Sequence, residues 1–301
     1  MDVLQRSRLQ VIGAGLCWSL AGAFVKLVSP PLGAWQIAGF RAAAAFVFLC
    51  LLLRPWRAAR WLPAPKIILL AFVYAAMTTL FIAANTRTTA ANAIFLQDTA
   101  PIWVLLFSPV VLKEPLRARD LKSMALCAAG MALFFMDRLS PGQRDGNMLA
   151  LISGLGFATI ILALRWGRAK PVRTPDSAAP ASSLADSEWI IIYGNLVCAL
   201  ACLPIMPALP SGALQPIAIV GVMGVVQLAL GYYFLSKGVT HVPAAEASLL
   251  LLVEPVLNPV WTFFAAGERP GFWALIGGAI IIGSIAYQAL GGRVLQTETA
   301  A

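Results

Sequence analysis

Four ionisable side chains stand inside long apolar stretches of the sequence: Arg41, Asp98, Glu246 and Glu254. An ionised group in the hydrocarbon interior of a membrane costs at least about 2.5–3.5 kcal/mol, so each should face a partner or a wet cavity. The two deeper carboxylates could bind an ammonium group, and Arg41 or a helix end could bind a carboxylate. The alternative to substrate binding is, for Asp98 and Arg41, a structural ion pair with each other. For Glu246 the alternative is a position at the membrane interface.

A proline follows each of the deeper carboxylates. Pro101 stands three residues after Asp98, and Pro255 directly follows Glu254. A proline removes one helical hydrogen bond and frees a carbonyl in the preceding turn. We therefore expect Pro101 and Pro255 to act as hinges.

Polar and aromatic side chains accompany these groups. Gln97 precedes Asp98, and Asn258 lies one turn beyond Glu254 on the same face of a helix. Deep aromatic rings can stack on a flat substrate or face an ammonium group, although simple helix packing would also explain them. The candidate substrate-binding residues are Trp18, Arg41, Gln97, Asp98, Trp103, Phe157, Tyr232, Glu254 and Asn258.

The sequence lacks the patterns of most enzymes and of metal sites. It has one histidine, His241, and five cysteines that form no Cys-x-x-Cys pair. No phosphate-binding loop, HExxH or GxSxG pattern occurs. We therefore expect no enzymatic activity, no cofactor and no metal, and we exclude a primary pump in this chain.

The composition is that of a membrane protein. Hydrophobic residues make up 60% of 301 and charged residues 12%, and the mean hydropathy is +0.82. Apolar stretches long enough to cross a bilayer recur along the whole chain. An N-terminal signal peptide is the alternative for the first of them, but no polar mature segment follows. The predicted spans are 10–28, 34–53, 65–84, 91–112, 120–136, 147–166, 188–206, 213–236, 243–266 and 271–290.

The positive charges are distributed unevenly between alternate loops. If the N-terminus is inside, most of the 22 Lys and Arg residues lie on the inner side. The outer side holds only Lys26, Arg87, Arg138, Arg144 and Arg269. The positive-inside rule then predicts a multi-pass protein of the cell inner membrane with both termini cytoplasmic.

The second half of the chain echoes the first. A shift of 154 residues places Pro101 on Pro255 and Glu114 on Glu268. Five spans per half is an odd number, so the second copy must be inverted, as in many secondary transporters. We predict an all-α integral membrane fold of ten transmembrane helices as two inverted five-helix repeats. The predicted parts are residues 1–140 (first repeat), 141–291 (second, inverted repeat) and 292–301 (a short cytoplasmic tail).

Several loose motifs occur in a specific order. Pro-x12-Glu appears once per half, Phe40-Arg41 lies in span two, and Cys17-Trp18-Ser19 lies in span one. With the glycines of spans five and ten, they resemble the ten-helix, EamA-type branch of the drug/metabolite transporter superfamily. The resemblance implies a carrier with a central cavity that exports small metabolites such as amino acids. Two positions depart from the repeat. Asn195 stands where the second half could repeat Arg41, and Arg269 separates Glu268 from Pro270.

The sequence thus favours a secondary transporter working by alternating access, with neutral or aromatic amino acids or related compounds as substrates. Its partners would be a small molecule and the lipid bilayer, and not nucleic acid. The small residues of spans five and ten predict close helix packing, within one chain or in a homodimer. A lipid-modifying membrane enzyme and a receptor or assembly factor without transport are the alternatives. Proton antiport and facilitated diffusion fit equally well.

Overall fold

The computed structural model describes residues 2–21, 24, 28, 32–58, 64–85, 87–88, 90–136, 143–169, 184–266 and 271–290. Within these residues the regular structure is helical, without strands. Eight segments are long and apolar enough to cross a membrane. The expected all-helical membrane class is therefore confirmed. The segments are Ala34–Leu53, Pro65–Asn85, Asn92–Val111, Arg144–Arg168, Asp186–Ile205, Leu214–Gly238, Ala244–Trp261 and Phe272–Ala289.

We number the α-helices of the described residues in chain order. Short 3-10 turns follow α2 at Pro55–Arg57 and α8 at Leu203–Ile205, and a π-helical segment, Gly224–Gly231, connects α9 to α10. The helices are α1 Val3–Ser19, α2 Ala34–Leu53, α3 Pro65–Asn85, α4 Ala90–Gln97, α5 Ala100–Val111, α6 Ala118–Phe135, α7 Arg144–Ala169, α8 Asp186–Cys202, α9 Leu214–Met223, α10 Tyr232–Gly238, α11 Ala244–Leu250, α12 Val253–Ala266 and α13 Phe272–Leu290.

The first helix begins earlier than the predicted span 10–28. Helix α1 starts at Val3 and includes Arg8, which is buried in an ion pair with Glu246. A prediction from hydropathy alone ends the span before Arg8. Because Arg8 has a buried ionic partner, the helix can include this arginine. Part of the predicted span, including Lys26, lies outside the described residues.

Three predicted spans are interrupted. Span four is divided into α4 and α5 by the turn at Asp98 and Thr99, and span nine into α11 and α12 by the turn at Leu251 and Leu252. Span eight contains the π-helical segment. When the first half is shifted by 154 residues, the turn in span four falls within one residue of the turn in span nine. A hydropathy window does not register such breaks when they are buried in protein.

Small residues bring α6 and α13 close together. A β-carbon on Gly277 would lie 2.4 Å from the carbonyl oxygen of Gly130. The backbones therefore approach more closely than any larger residue allows. This is the close packing expected of spans five and ten, and it occurs within one chain.

The bundle packs around a continuous apolar core. Helix α3 contacts both α7 and α8, and α2 contacts α8 and the π-helical segment. Tyr74, Ile161, Ile190 and Leu235 are fully buried in this core. These helices surround the polar site described next.

Candidate substrate cavity

A cavity of about 500 Å³, part of it open space, lies between helices from both halves of the chain. We call it the central cavity. It is lined by Trp18, Ala21, Arg41, Met77, Thr78, Phe81, Gln97, Phe157, Gln227, Leu228, Tyr232 and Glu254. Six of the nine candidate substrate-binding residues are in this lining.

Three aromatic rings form one wall of the central cavity. The ring centroid of Trp18 lies 5.4 Å from that of Phe157 and 4.8 Å from that of Tyr232. The indole Nε1 of Trp18 donates a hydrogen bond of 2.8 Å to the carbonyl oxygen of Gln227, in the π-helical segment. The indole is thereby fixed in orientation, and it presents apolar surface beside polar groups.

Two buried donor atoms of the central cavity have no partner in the part of the chain that the structure describes. Arg41 is 7% exposed and Gln227 is 2% exposed. Neither the Arg41 Nε nor the Gln227 Nε2 has a hydrogen-bond partner among the described residues. Most buried polar atoms in proteins are satisfied, so two exceptions in one cavity favour a ligand that accepts hydrogen bonds.

The position of Arg41 depends on a close helix contact. A β-carbon on Gly224, at the start of the π-helical segment, would lie 2.2 Å from the carbonyl oxygen of Arg41. Only glycine leaves room for this approach. The π-helical segment therefore positions α2 as well as supplying Gln227.

Glu254 brings a carboxylate to the same cavity. It lies in the first turn of α12, directly after the interruption of span nine. The end of a helix where backbone N–H groups are free favours a negative charge. One cavity thus carries a guanidinium, an amide and a carboxylate.

Asp98 lines a different space, which we call the lateral pocket. Its volume is about 410 Å³, part of it open space, and its other walls are almost entirely apolar. The Oδ2 atom of Asp98 is buried and has no hydrogen-bond partner among the described residues. Asp98 and Arg41 form no ion pair, so the structural pair considered above is absent. The lining residues are Phe95, Asp98, Thr99, Pro101, Ile102, Met124, Cys127, Ala128, Met131 and Leu252.

The remaining candidates lie outside the central cavity. Trp103 stacks on Phe107 with ring centroids 6.3 Å apart, and Asn258 is half-buried further along α12. Pro101 and Pro255 lie in the first turns of α5 and α12, where proline needs no hydrogen-bond donor. The helices are interrupted immediately before these prolines, at the two turns.

Sequence reasoning missed Gln227, Thr78 and the π-helical segment. An amide in the middle of a span, between Gly224 and Gly231, was the available signal. Polar residues within membrane spans mark pathways, and π-helical turns often occur at functional sites.

Ion pairs occupy one end of the bundle, and we call them the end network. Arg165 lies 2.7 Å from Glu114, and its Nη1 donates to the carbonyl oxygens of Val239 and Thr240. The second carboxylate oxygen of Glu114 accepts a hydrogen bond of 3.0 Å from the backbone of Ala244. The first Pro-x12-Glu motif therefore ends in a contact between the two halves.

Further pairs complete the end network. Arg8 pairs with Glu246 and donates to the carbonyl oxygen of Ala289, which connects the first and last described helices. Glu188 accepts from both Arg168 and Lys237, at 2.8 and 2.6 Å. The two ends of the described chain thus lie at the same end of the bundle.

Comparisons with known proteins identify the family. The sequence profile described as the EamA-like transporter family matches residues 6–136 and again residues 145–288. An uncharacterized transporter of Archaeoglobus fulgidus is 27% identical over 218 residues, which are 68% of this chain and 69% of that protein. A pseudopaline exporter of Pseudomonas aeruginosa is 23% identical over 285 residues, 94% of this chain and 95% of that protein.

A solved crystal structure has the same fold. It superposes with a TM-score of 0.75 at 17% identity and covers 94% of this chain and 97% of its own. The helical spans and the two profile matches together define a multi-pass membrane transporter. The chain belongs to the EamA-like transporter family of the drug/metabolite transporter superfamily, as its motifs had suggested.

Proposed function

We propose that this protein is a secondary transporter that exports small zwitterionic metabolites, with neutral or aromatic amino acids as the best fit. The central cavity carries this proposal, because it combines Glu254 and an aromatic wall with two donor atoms, the Arg41 Nε and the Gln227 Nε2, that have no partner among the described residues. Arg41 and Gln227 would hold a carboxylate, and Glu254 would hold an ammonium group. Charge-assisted hydrogen bonds of this kind are the strong ones in proteins.

The aromatic wall favours an apolar or aromatic side chain on the substrate. Trp18, Phe157 and Tyr232 would bury it, while the charged groups of the substrate reach Arg41 and Glu254. A ring pair contributes about 0.5–1.5 kcal/mol beyond the burial of its area. A phosphorylated substrate fits less well, because Arg41 is the only basic residue among the described lining residues.

The transport cycle would be alternating access by two inverted repeats. Two separate matches to one family profile support the duplication, and the near-equivalent interruptions of spans four and nine support a common design. Broken helices near the membrane centre are how many transporters build their binding sites. Rocking of the two halves, with bends at the turns before Pro101 and Pro255, would open the cavity to each side in turn.

The proposed topology has ten spans that cross the cell inner membrane, with both termini in the cytoplasm. The Arg8 contacts support an even number of crossings, because they bring α1 and the end of α13 to one end of the bundle. The positive residues of the end network would then face the cytoplasm. The similarity to a pseudopaline exporter supports export as the direction.

The experiment is a counterflow screen of the twenty amino acids in proteoliposomes that contain the purified protein. We expect uptake of labelled leucine or of an aromatic amino acid, and its loss in Arg41→Gln and Glu254→Gln. Cys50→Ala, outside the cavity lining, is the control and should keep wild-type flux. Binding without flux would favour a receptor, and unchanged flux in both polar variants would contradict the proposed site.

A further inference from the structure

We infer that Cys198, Cys202 and Met206 form a binding site for a soft monovalent metal ion, with Cu(I) as the best match. The three sulfur-bearing residues recur at every fourth position, at the end of α8 and just after the turn that follows it. The inference goes beyond the proposed function and does not depend on the transported substrate. It differs from the expectation of no metal, which rested partly on the lack of a Cys-x-x-Cys pair.

The two cysteines are buried in the protein on one face of α8. Cys198 is 2% exposed and Cys202 is fully buried, and both thiols are free. Residues four apart on a helix have β-carbons about 5–6 Å from each other. A disulfide needs β-carbons about 3.5–4.5 Å apart, so it does not fit this spacing. Two metal–sulfur bonds of about 2.3 Å each bridge it more easily.

Met206 brings a third sulfur to the same place. A β-carbon on Gly39 of α2 would lie 2.6 Å from the Cε of Met206 and 3.0 Å from the Cβ of Cys202. The two side chains therefore meet at one point on α2, where glycine leaves room for them. The 3-10 turn Leu203–Ile205 ends α8 and is followed directly by Met206. Its thioether is a neutral ligand that adds no charge to the buried site.

The central cavity gives this site a route of access. The Thr78 hydroxyl donates a hydrogen bond of 3.5 Å to the Sγ of Cys198. Thr78 itself lines the central cavity, so Cys198 lies one hydrogen bond behind the cavity wall. Rotation of the Thr78 side chain would let a small ion pass from the cavity to the thiols. Buried cysteines usually serve as small apolar residues, but that role does not require a polar neighbour at a cavity.

The donor set selects a soft ion. Thiolates and thioethers favour Cu(I), whereas Mg²⁺ and Ca²⁺ favour carboxylate and water oxygens. Structural zinc sites use four Cys or His ligands. The part of the chain that the structure describes holds no group of three or more His, Cys, Asp and Glu side chains suited to a metal. Two thiols and a thioether therefore fit Cu(I) better than Zn²⁺.

Binding exchanges protons for the ion without a redox step. Each thiol loses its proton to solvent as its sulfur binds the ion, and copper stays Cu(I) throughout. Two thiolates and one monovalent ion leave a single negative charge. Arg41 lines the same cavity as Thr78, so a positive charge is available on that side of the site.

The first test is a titration of the purified full-length protein with Cu(I), without oxygen, against the coloured chelator bicinchoninate. We expect the wild type to take one Cu(I) per chain from the chelator. Cys198→Ser and Cys202→Ser should each weaken binding roughly 100-fold or more, since even outer-shell partners of a metal contribute 10–100-fold. Cys127→Ser, which changes another buried thiol on α6, should bind as the wild type does. Wild-type affinity in Cys198→Ser, or no uptake by the wild type, would overturn the inference.

The second test reads the ligands directly, so that misfolding of a serine variant cannot decide the outcome. X-ray absorption of the copper-loaded wild type should show two or three sulfur neighbours and no nitrogen or oxygen. Met206→Leu, which keeps the size of the side chain, should still bind Cu(I) more weakly and with one sulfur fewer. Nitrogen or oxygen ligands in the wild type, or an unchanged sulfur count in Met206→Leu, would contradict the site as assigned.

Discussion

Arg165 and Arg41 are two largely buried arginines of the same bundle, but their surroundings differ. Arg165, at one end of the bundle, has a carboxylate and two backbone carbonyls as partners. Arg41, in the central cavity, makes no ion pair with a described carboxylate, and its Nε has no hydrogen-bond partner. A satisfied arginine stabilises one conformation, whereas an unsatisfied arginine is available to a ligand.

The carboxylates of the two regions differ in the same way. Glu114, Glu188 and Glu246 are all paired in the end network. Glu254 and Asp98, near the middle of the bundle, have no described cationic partner. Paired charges thus collect at one end of the bundle, whereas the Arg41 Nε and the Gln227 Nε2 in the central cavity have no partner among the described residues.

The largest effect on stability should come from the Arg8–Glu246 pair. Glu246→Gln leaves the Arg8 guanidinium buried without a counter-charge, which costs about 3–5 kcal/mol in comparable pairs. The apparent unfolding temperature in detergent measures it and should fall clearly. The double variant Arg8→Met with Glu246→Leu should recover most of the loss, because it leaves no unpaired charge. If the double variant is as unstable as Glu246→Gln, the ion pair stabilises the fold by more than the neutralisation of the buried charge.

Arg41→Gln should weaken substrate binding without lowering stability, unlike Glu246→Gln. Loss of a charge-assisted hydrogen bond of about 1.5–3 kcal/mol should weaken substrate binding roughly 10–150-fold. The unfolding temperature should stay the same or rise, because the buried guanidinium has no carboxylate partner to lose. Counterflow at several substrate concentrations, together with thermal unfolding, checks both statements. A large loss of stability in Arg41→Gln would place Arg41 with the end network instead.

Much of the fold followed from the sequence, because apolar stretches and charge asymmetry are properties of single segments. The spans at Ala34–Leu53 and Pro65–Asn85 agree with the predicted 34–53 and 65–84 almost to the residue. Arg41, Glu254 and Trp18 could be singled out because polar and deep aromatic groups are rare in such segments. That these three residues line one cavity was harder to predict from the sequence, because it depends on how the helices cross.

Other features depended on long-range contacts. The interruption at Asp98 and Thr99 is tolerated because the surrounding helices exclude lipid, and no local pattern reports that. The separation of Asp98 from Arg41 is likewise a matter of packing. Gln227 was missed because it carries no charge, although the flanking Gly224 and Gly231 allow the backbone contacts that place it.

Gly224→Ala should disturb the contact between α2 and the π-helical segment. The added β-carbon would lie 2.2 Å from a backbone oxygen, which cannot move independently of α2. Forced overpacking of this kind costs about 1–3 kcal/mol. Both the unfolding temperature and counterflow should fall, because the shift displaces Arg41.

Gly221→Ala is the matched control for that experiment. A β-carbon at Gly221 meets nothing within 4 Å, although the residue lies only one turn away on α9. Alanine is favoured over glycine in helices by up to about 1 kcal/mol, so this variant should be neutral or slightly more stable. Equal losses in the two variants would mean that helix flexibility, not close approach, explains Gly224.

Trp18→Phe should have the smallest effect. It removes the Nε1 donor to the Gln227 carbonyl but keeps an aromatic ring against Phe157 and Tyr232. A neutral hydrogen bond contributes about 0.5–1.5 kcal/mol, so the unfolding temperature should fall slightly while aromatic substrates still exchange.

Gln227→Leu separates the two roles of that residue. It leaves the backbone carbonyl for Trp18 but removes the unpartnered amide from the central cavity. Stability should therefore be kept or improved while counterflow decreases, the reverse of Trp18→Phe. If both variants lose stability and neither loses flux, the polar groups of the cavity serve packing, and the contrast between paired and unpaired groups does not identify the substrate site.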